Sequence, residues 1–222
     1  MRLFLSSYRF GAHYDRLAAL IGTPGRVAVI PNACDAWPAM WQGAVSSDVN
    51  PLRRLSFRPD VVDLREYVGR PEELEQVLRG YPMLWVRGGN TFVLRAQFAR
   101  SAADLVLARL LAEDALVYAG YSAGACLLTP DLHGLEEADD PDEVLPACGI
   151  ETRWDGLGLV DHRIVPHVNS PGTDPDGCGD RLAAHFRAEG VPHWALTDDD
   201  AVIVDGERID VLTSDITPPW AQ

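Results

Sequence analysis

Short apolar runs alternate along the chain with longer segments that are apolar on one side only. Short runs bounded by glycine, proline or charged residues predict buried strands, whereas apolar positions spaced three or four apart predict helices. The predicted strands are 2–6, 26–31, 61–64, 83–86, 115–119 and 163–165. The predicted helices are 13–21, 71–78, 91–99, 102–113 and 179–189, while 35–57 is mainly helical but broken by Pro38 and Pro51.

Strands that alternate with helices of this length predict an α/β fold, in which a mostly parallel sheet is covered by helices on both faces. The 222 residues fit one domain, 1–222, with enough chain to bury such a sheet. Around Asp205-Gly206 the segment 194–212 predicts strand, turn and strand. The polar, acidic segment 132–155 predicts a long loop over a site, and the tail 217–222 contains no recognisable element.

Composition excludes several classes of function. The net charge of -14, from 19 basic and 33 acidic side chains, argues against nucleic-acid binding, which depends on clustered Lys and Arg. No stretch approaches the roughly 20 apolar residues that span a bilayer, and the apolar run near the N-terminus is too short for a secretion signal. The four widely spaced cysteines indicate neither a metal site nor disulfides, so we expect a reduced, cytoplasmic protein.

The most informative stretch is Gly120-Tyr-Ser122-Ala123-Gly124. It follows an apolar run and leads into Ala-Cys-Leu-Leu, so it predicts a strand-to-helix turn with a serine at its tip, which is a nucleophile elbow. Glycines beside such a turn leave room for its backbone and for a substrate. The amide of Ala123, at a helix N-terminus, points to where an oxyanion would form. A serine in an ordinary glycine-rich turn has the same pattern, so further parts of a site are needed.

A serine hydroxyl needs a base to act as a nucleophile at neutral pH. Among six histidines, His167 is the favoured base because it ends a short apolar strand, at the sheet edge where the elbow lies; a histidine that only caps a strand would look the same. Gly88-Gly89-Asn90 follows another strand and offers a second oxyanion amide at Gly89, or alternatively a tight turn with Asn90 as a helix cap. The candidate orienting acids are Glu136, Glu137, Asp139, Asp140, Asp142 and Glu143.

These blocks together resemble peptidase E, the aspartyl dipeptidase related to cyanophycinase. The resemblance is specific in three places and extends over most of the chain, from Leu3 to about Leu212. The three blocks are Gly88-Gly-Asn-Thr-Phe92, Gly120-Tyr-Ser-Ala-Gly-Ala125 and Pro166-His167. The resemblance implies a serine peptidase with a three-layer fold similar to class I glutamine amidotransferases and flavodoxin, with no cofactor or metal, acting as a monomer or small homo-oligomer.

The resemblance also implies residue roles. Ser122 would be the nucleophile and His167 the base, the amides of Gly89 and Ala123 would form the oxyanion hole, and Asn90 would bind near the amino end of the substrate. The family's acid lies shortly before a proline in the long loop, which favours Asp139 and leaves Glu137 and Asp140 open. Arg181 would pair with the side chain of an N-terminal aspartate, but the segment around it matches the family poorly.

The sequence therefore predicts a serine peptidase that hydrolyses small peptides through a Ser122-His167-Asp139 triad, without strict preference for Asp-X dipeptides. One alternative is an esterase of the α/β-hydrolase type, which has the same order of serine, acid and histidine. Another is a catalytically idle homologue that binds small peptides in the same cleft.

Overall fold

The computed structural model describes residues 1–214. The strands are β1 (Arg2–Ser6), β2 (Arg26–Ile30), β3 (Arg58–Val61), β4 (Met83–Val86), β5 (Val117–Tyr121), β6 (Arg163–Val165), β7 (His193–Ala195), β8 (Ala201–Asp205) and β9 (Arg208–Leu212). The helices are α1 (Tyr14–Ile21), α2 (Trp41–Arg54), α3 (Pro71–Leu78), α4 (Thr91–Ser101), α5 (Ala103–Ala112), α6 (Ala123–Cys126), α7 (Val144–Cys148) and α8 (Cys178–Glu189).

Seven of these strands form one sheet in the order β3-β2-β4-β5-β1-β8-β9. The first five in this order run parallel, whereas β8 is antiparallel to β1 and β9 is antiparallel to β8. Strands β6 and β7 pair in parallel as a separate small sheet. The predicted α/β fold with a mostly parallel sheet is confirmed, and the sheet flanked by helices has the predicted layers.

The two faces of the sheet are buried in separate cores. On β4, Leu84 and Val86 join one cluster, while Met83 and Trp85 join the other. Successive side chains of a strand point to opposite faces, so a strand buried on both faces is apolar at every position, as this one is. Fully burying side chains of this size stabilises the fold by roughly 1.5–3 kcal/mol each, which explains why continuous apolar runs identified the central strands.

The edge strand differs from its prediction. The apolar run 61–64 predicted a strand, but β3 lies three residues earlier and pairs with β2 from Arg58 to Val61. Pro59 is tolerated there because an edge strand need not use every amide in a ladder. The side chain of Asp63 accepts a hydrogen bond from the amide of Arg65 and begins a 3-10 turn, Leu64–Tyr67. Val62 and Leu64 are buried, but not as strand residues.

Two further segments contain more structure than predicted. The segment 132–155, predicted to be a long loop, contains two 3-10 turns and α7. The segment 194–212 contains the predicted hairpin, β8 and β9, but its first part lies in β7, which pairs with β6 instead. The tail 217–222 lies outside the described residues. Within residues 1–214, no helix has the length and apolar character needed to cross a membrane.

Candidate active site

Ser122 lies at the sharp turn between β5 and α6. Its backbone has φ 49° and ψ -118°, a conformation that residues other than glycine adopt only under strain. Its amide donates to the carbonyl of Ser6, and its own carbonyl accepts from the amides of Ala125 and Cys126. These bonds hold the strained turn, so the hydroxyl is presented at the carboxyl edge of the central sheet.

The two glycines of the Gly-x-Ser-x-Gly pattern are required by space. A Cβ at Gly120 would lie 2.5 Å from the carbonyl oxygen of Gly124, and a Cβ at Gly124 would collide with the carbonyl oxygen of Val86. The turn is therefore pressed against both β5 and β4, and a side chain at either position would force the elbow away. The pattern marks a real steric constraint in this chain.

His167 lies against Ser122 and connects it to an acid. The Nε2 atom of His167 is 3.0 Å from the Oγ of Ser122, and its Nδ1 atom is 2.7 Å from Oδ1 of Asp198. Serine, histidine and aspartate thus form one hydrogen-bonded chain, the order in which a base removes a serine proton while an acid orients the base. The structure brings together the two residues that the sequence favoured and adds a third that it missed.

Asp198 is held by several hydrogen bonds besides the one to His167. Thr173 donates its hydroxyl to Oδ2 at 2.6 Å, and the backbone amide of Asp198 donates to the hydroxyl of Ser170 at 3.0 Å. Partial burial raises the pKa of Asp198, but the hydrogen bonds from His167 and Thr173 outweigh this effect and leave the pKa lowered. The carboxylate is therefore ionised at neutral pH and can stabilise a protonated imidazole.

The small sheet explains why these two residues meet. His167 follows β6 by two residues and Asp198 follows β7 by three, and β6 and β7 are parallel neighbours. The carboxyl ends of parallel strands meet at one edge, so the residues after them become neighbours. The backbone amide of His167 also donates to the hydroxyl of Ser7 at 2.7 Å, which fixes the histidine next to β1. The signal in the sequence that could have identified Asp198 is its position as an acidic residue shortly after the strand 193–195.

Asp139, the predicted acid, makes no hydrogen bond to His167, whose ring nitrogens bond to Asp198 and Ser122. Its Oδ2 accepts hydrogen bonds from the amide and the hydroxyl of Thr91, at 2.9 and 2.6 Å. Burial raises its pKa to about 6. The two other candidates are also engaged elsewhere, because Asp140 caps the amide of Asp142 and Glu137 lies 3.4 Å from the guanidinium of Arg181. The long loop packs against the start of α4 and leaves the position beside Nδ1 to Asp198.

Gly88 and Gly89 bring the backbone close to the serine. A Cβ at Gly88 would lie 2.9 Å from the Cβ of Ser122, and one at Gly89 would lie 2.7 Å from the carbonyl oxygen of Ala33. Gly89 also has φ 145°, which disfavours any other residue. Among the described residues, no acceptor is found for the amides of Gly89 and Ala123. Both amides are thus free to bind an oxyanion, a role that stays a prediction.

Asn90 and Arg181 are not arranged for the substrate-binding roles predicted for them. Asn90 is fully buried; its side-chain oxygen caps α4 through the amides of Phe92 and Val93, and its nitrogen donates to Asp140 and Glu143. Asn90 thus makes the helix cap that the alternative interpretation predicted. Arg181 is exposed, donates to the carbonyl of Asp176 and lines neither of the cavities beside Ser122.

Two cavities meet at Ser122 and His167, which line both. The larger one, of about 570 Å³, extends past Tyr8, Trp37 and Arg87. The smaller one, of about 390 Å³, extends toward Asp139. A peptide bond placed over Ser122 would therefore have space on both sides, as hydrolysis between two residues requires. In the described part of the chain, no group of three or more His, Cys, Asp or Glu side chains is arranged to hold a metal ion.

The chain has recognisable relatives. The model of peptidase family S51 matches residues 7–212. An uncharacterized peptidase of Listeria innocua is 32% identical over 110 residues, which are 50% of each chain. A Drosophila melanogaster protein named "Probable alpha-aspartyl dipeptidase" is 31% identical over 143 residues, 62% of this chain and 56% of that protein. The chain spans about half the length of the curated relatives it matches.

The fold is also found in solved structures. The crystal structure of a peptidase E-type protein from Listeria monocytogenes EGD-e superposes with a TM-score of 0.77 and covers 96% of this chain and 98% of its own. The two sequences are 22% identical. At this identity the likeness concerns the arrangement of strands and helices alone.

Proposed function

Because the chain belongs to peptidase family S51, we propose that it is a serine peptidase that hydrolyses small peptides through Ser122, His167 and Asp198. The observation that carries this proposal is the continuous hydrogen-bonded chain from the serine hydroxyl to the imidazole, 3.0 Å, and from the imidazole to the carboxylate, 2.7 Å. The strained backbone of Ser122 supports it further, because strain of this kind persists where the surrounding structure holds it and is common in active sites.

The proposed reaction proceeds through an acyl-enzyme. His167 takes the proton of the Ser122 hydroxyl as the oxygen attacks the scissile carbonyl, and Asp198 stabilises the imidazolium that forms. The negative oxygen of the tetrahedral intermediate accepts hydrogen bonds from the amides of Gly89 and Ala123. His167 then gives its proton to the leaving amine, and water, activated by the same imidazole, hydrolyses the acyl-enzyme.

We propose short peptides as substrates, because each cavity beside Ser122 has room for only a few residues. The Drosophila relative is named for α-aspartyl dipeptides. The arginine expected to recognise an aspartate side chain, Arg181, lies outside both cavities and close to Glu137. For this reason we propose that the enzyme has no strict preference for Asp-X dipeptides.

The test is stoichiometric labelling by a serine-reactive phosphonate, combined with turnover of dipeptides, aminoacyl anilides and p-nitrophenyl esters. We expect one label per chain, lost in the Ser122→Ala variant, and turnover of dipeptides that is also lost in that variant. Cleavage of esters alone would point to an esterase. Absence of labelling and turnover in a folded protein would identify a homologue that binds peptides without cleaving them.

A further inference from the structure

The two cavities at Ser122 carry opposite charge. Among the described residues that line the larger one, Arg9 and Arg87 are charged and none is Asp or Glu. The smaller one is lined by Glu137, Asp139, Asp174 and Asp176, with no Lys or Arg among the described residues. Positive charge concentrated in one cavity is unexpected in a chain with a net charge of -14. It indicates a ligand with a negative group on that side of the serine.

The charge of Arg87 is already balanced within the protein. Its Nη1 lies 2.6 Å from Oδ2 of Asp48, whose side chain is 1% exposed, and it also donates to the hydroxyl of Ser47. A guanidinium paired in this way is held rigidly, and its positive charge is largely neutralised by the carboxylate of Asp48. Arg87 therefore shapes the cavity and contributes little attraction of its own.

Arg9 is different. In the part of the chain that the structure describes, no ion pair involves its guanidinium, and its buried Nε has no hydrogen-bond partner. The guanidinium packs over the ring of Tyr8, with Cζ 5.3 Å from the ring centre. A buried donor of a charged group is costly to leave without an acceptor. The site thus presents an incompletely satisfied arginine to the cavity that contains the reacting serine.

We propose that Arg9 binds a carboxylate group of the peptide substrate and is a specificity-determining residue of the peptidase; this inference rests on the function proposed above. Guanidinium and carboxylate form charge-assisted hydrogen bonds, often two in parallel. The Tyr8 ring lies 5.3 Å from Cζ of Arg9 and 6.4 Å from the ring of His167. Together these distances place Cζ of Arg9 within about 12 Å of the His167 ring. Since one peptide residue spans about 3.5 Å, a carboxylate one or two residues beyond the bond cleaved at Ser122 is within range of the guanidinium.

The same guanidinium would also accept a carboxylate from an acidic side chain of the substrate. The C-terminal carboxylate and the side-chain carboxylate are removed by different changes in the peptide. Amidation removes the C-terminal charge, and Asn in place of Asp removes the side-chain charge. Two matched ligand pairs therefore distinguish them: Ala-Leu against Ala-Leu amide, and Asp-Leu amide against Asn-Leu amide. We expect the first pair to show the dependence on Arg9.

The experiment measures equilibrium binding of these four peptides by calorimetry in the Ser122→Ala background, where no ligand is cleaved. Adding Arg9→Gln should weaken binding of Ala-Leu about 10- to 100-fold, the range expected for a charge-assisted hydrogen bond, and leave Ala-Leu amide nearly unchanged. Arg9→Lys should retain part of the affinity. The control is Arg187→Gln, which removes an exposed arginine that lines neither cavity and should change nothing.

The outcomes separate cleanly. A loss that is confined to the acid member of either pair supports the proposal and identifies the source of the carboxylate. An equal loss for acid and amide members of both pairs, or no binding of peptide acids by the Ser122→Ala protein, overturns it. Should Arg9→Gln fail to fold, the salt dependence of binding to the Ser122→Ala protein replaces it. Added salt that weakens the binding of Ala-Leu but not of Ala-Leu amide supports the proposal, and binding of Ala-Leu that is insensitive to salt overturns it. Absence of turnover in the wild type would contradict the proposed function alone.

Discussion

The Nδ1 atom of His167 lies 2.7 Å from Oδ1 of Asp198, a residue 31 positions further along the chain. The contact depends on the pairing of β6 with β7, whose carboxyl ends deliver the two side chains to one point. Thr173 holds the other carboxylate oxygen, so the acid has a defined orientation. This relationship decides which acid the proposed mechanism uses.

Asp198→Asn should lower kcat on dipeptides about 10,000-fold, because an amide in this position favours the wrong histidine tautomer and cannot stabilise the imidazolium. Asp139→Asn should change kcat far less, since Asp139 bonds to Thr91 and not to His167. Steady-state kinetics of both variants, with circular dichroism to confirm folding, make the comparison. A severe loss in Asp139→Asn together with a mild loss in Asp198→Asn would return the role to Asp139.

Asp139 should make stability depend on pH. Burial raises its pKa from the ordinary 3.8 to about 6, so the folded state holds the proton more tightly than the unfolded chain. The stability that the protonated Asp139 contributes to the folded state is fully present below about pH 4 and is lost as the pH rises through about 6. The amide introduced by Asp139→Asn cannot ionise, so the variant should gain stability relative to the wild type by up to about 3 kcal/mol between pH 4 and 7. Urea unfolding across this range measures the difference, and parallel curves would contradict the prediction.

Gly124→Ala should destabilise the protein by about 1–3 kcal/mol through overpacking and displace Ser122. The added methyl group would collide with the carbonyl of Val86 on β4. Thermal unfolding and phosphonate labelling report the two effects. Gly172→Ala is the matched control, because no atom lies within 4 Å of a Cβ built there, and both readouts should stay at wild-type values. A stable, fully labelled Gly124→Ala protein would show that the elbow tolerates a side chain.

Asp48→Ala should cost about 3 kcal/mol of unfolding free energy, because it leaves the charge of Arg87 without its partner in a largely buried place. Asp48 accepts from Arg87 at 2.6 Å and from the hydroxyl of Tyr121 at 3.0 Å. Glu73→Ala breaks the pair of Glu73 with Arg70, whose side chains are 58% and 50% exposed, and should have little effect. Chemical denaturation of the two variants tests this, and equal losses would refute the distinction between buried and exposed pairs.

A panel of X-Leu dipeptides should show no large advantage in kcat/KM for X = Asp. The reason is that Arg181, the arginine expected to pair with an aspartate side chain, is exposed and close to Glu137. Arg181→Gln should accordingly change kcat/KM for Asp-Leu no more than for Ala-Leu. A strong preference for Asp-Leu that disappears in Arg181→Gln would reverse this conclusion.

Part of this site follows from local sequence. The turn at Ser122 and the glycines around it obey short-range steric rules, and the apolar runs of β4 and β5 reflect burial on both faces of the sheet. His167 was favoured because a polar residue after a short apolar run lies at a strand end. These signals need only a few neighbouring residues, so they survive without knowledge of the fold.

Other features required long-range geometry. Six acidic residues between 136 and 143 are chemically equivalent in the sequence. No local pattern shows that Thr91 binds one of them, Asp139, or that the acid beside His167 is Asp198, which follows β7. Val62 and Leu64 are buried without being strand residues, because the register with β2 places β3 earlier, at Arg58–Val61. The partners of the Asn90 and Arg181 side chains likewise depend on which elements pack beside them.

The amino-acid sequence by itself determined the layered α/β fold, the elbow with its serine, and the histidine, because periodicity and steric crowding act over a few residues. Only the tertiary structure decided which carboxylate faces the imidazole, and that an arginine near the N-terminus lines the cavity beside Ser122. The first depends on the pairing of β6 with β7, and the second on the pairing of β1 with β5. β1 and β5 are more than a hundred residues apart in the chain. Pairing of this kind is set by the summed burial of the whole chain, which no single stretch of sequence contains.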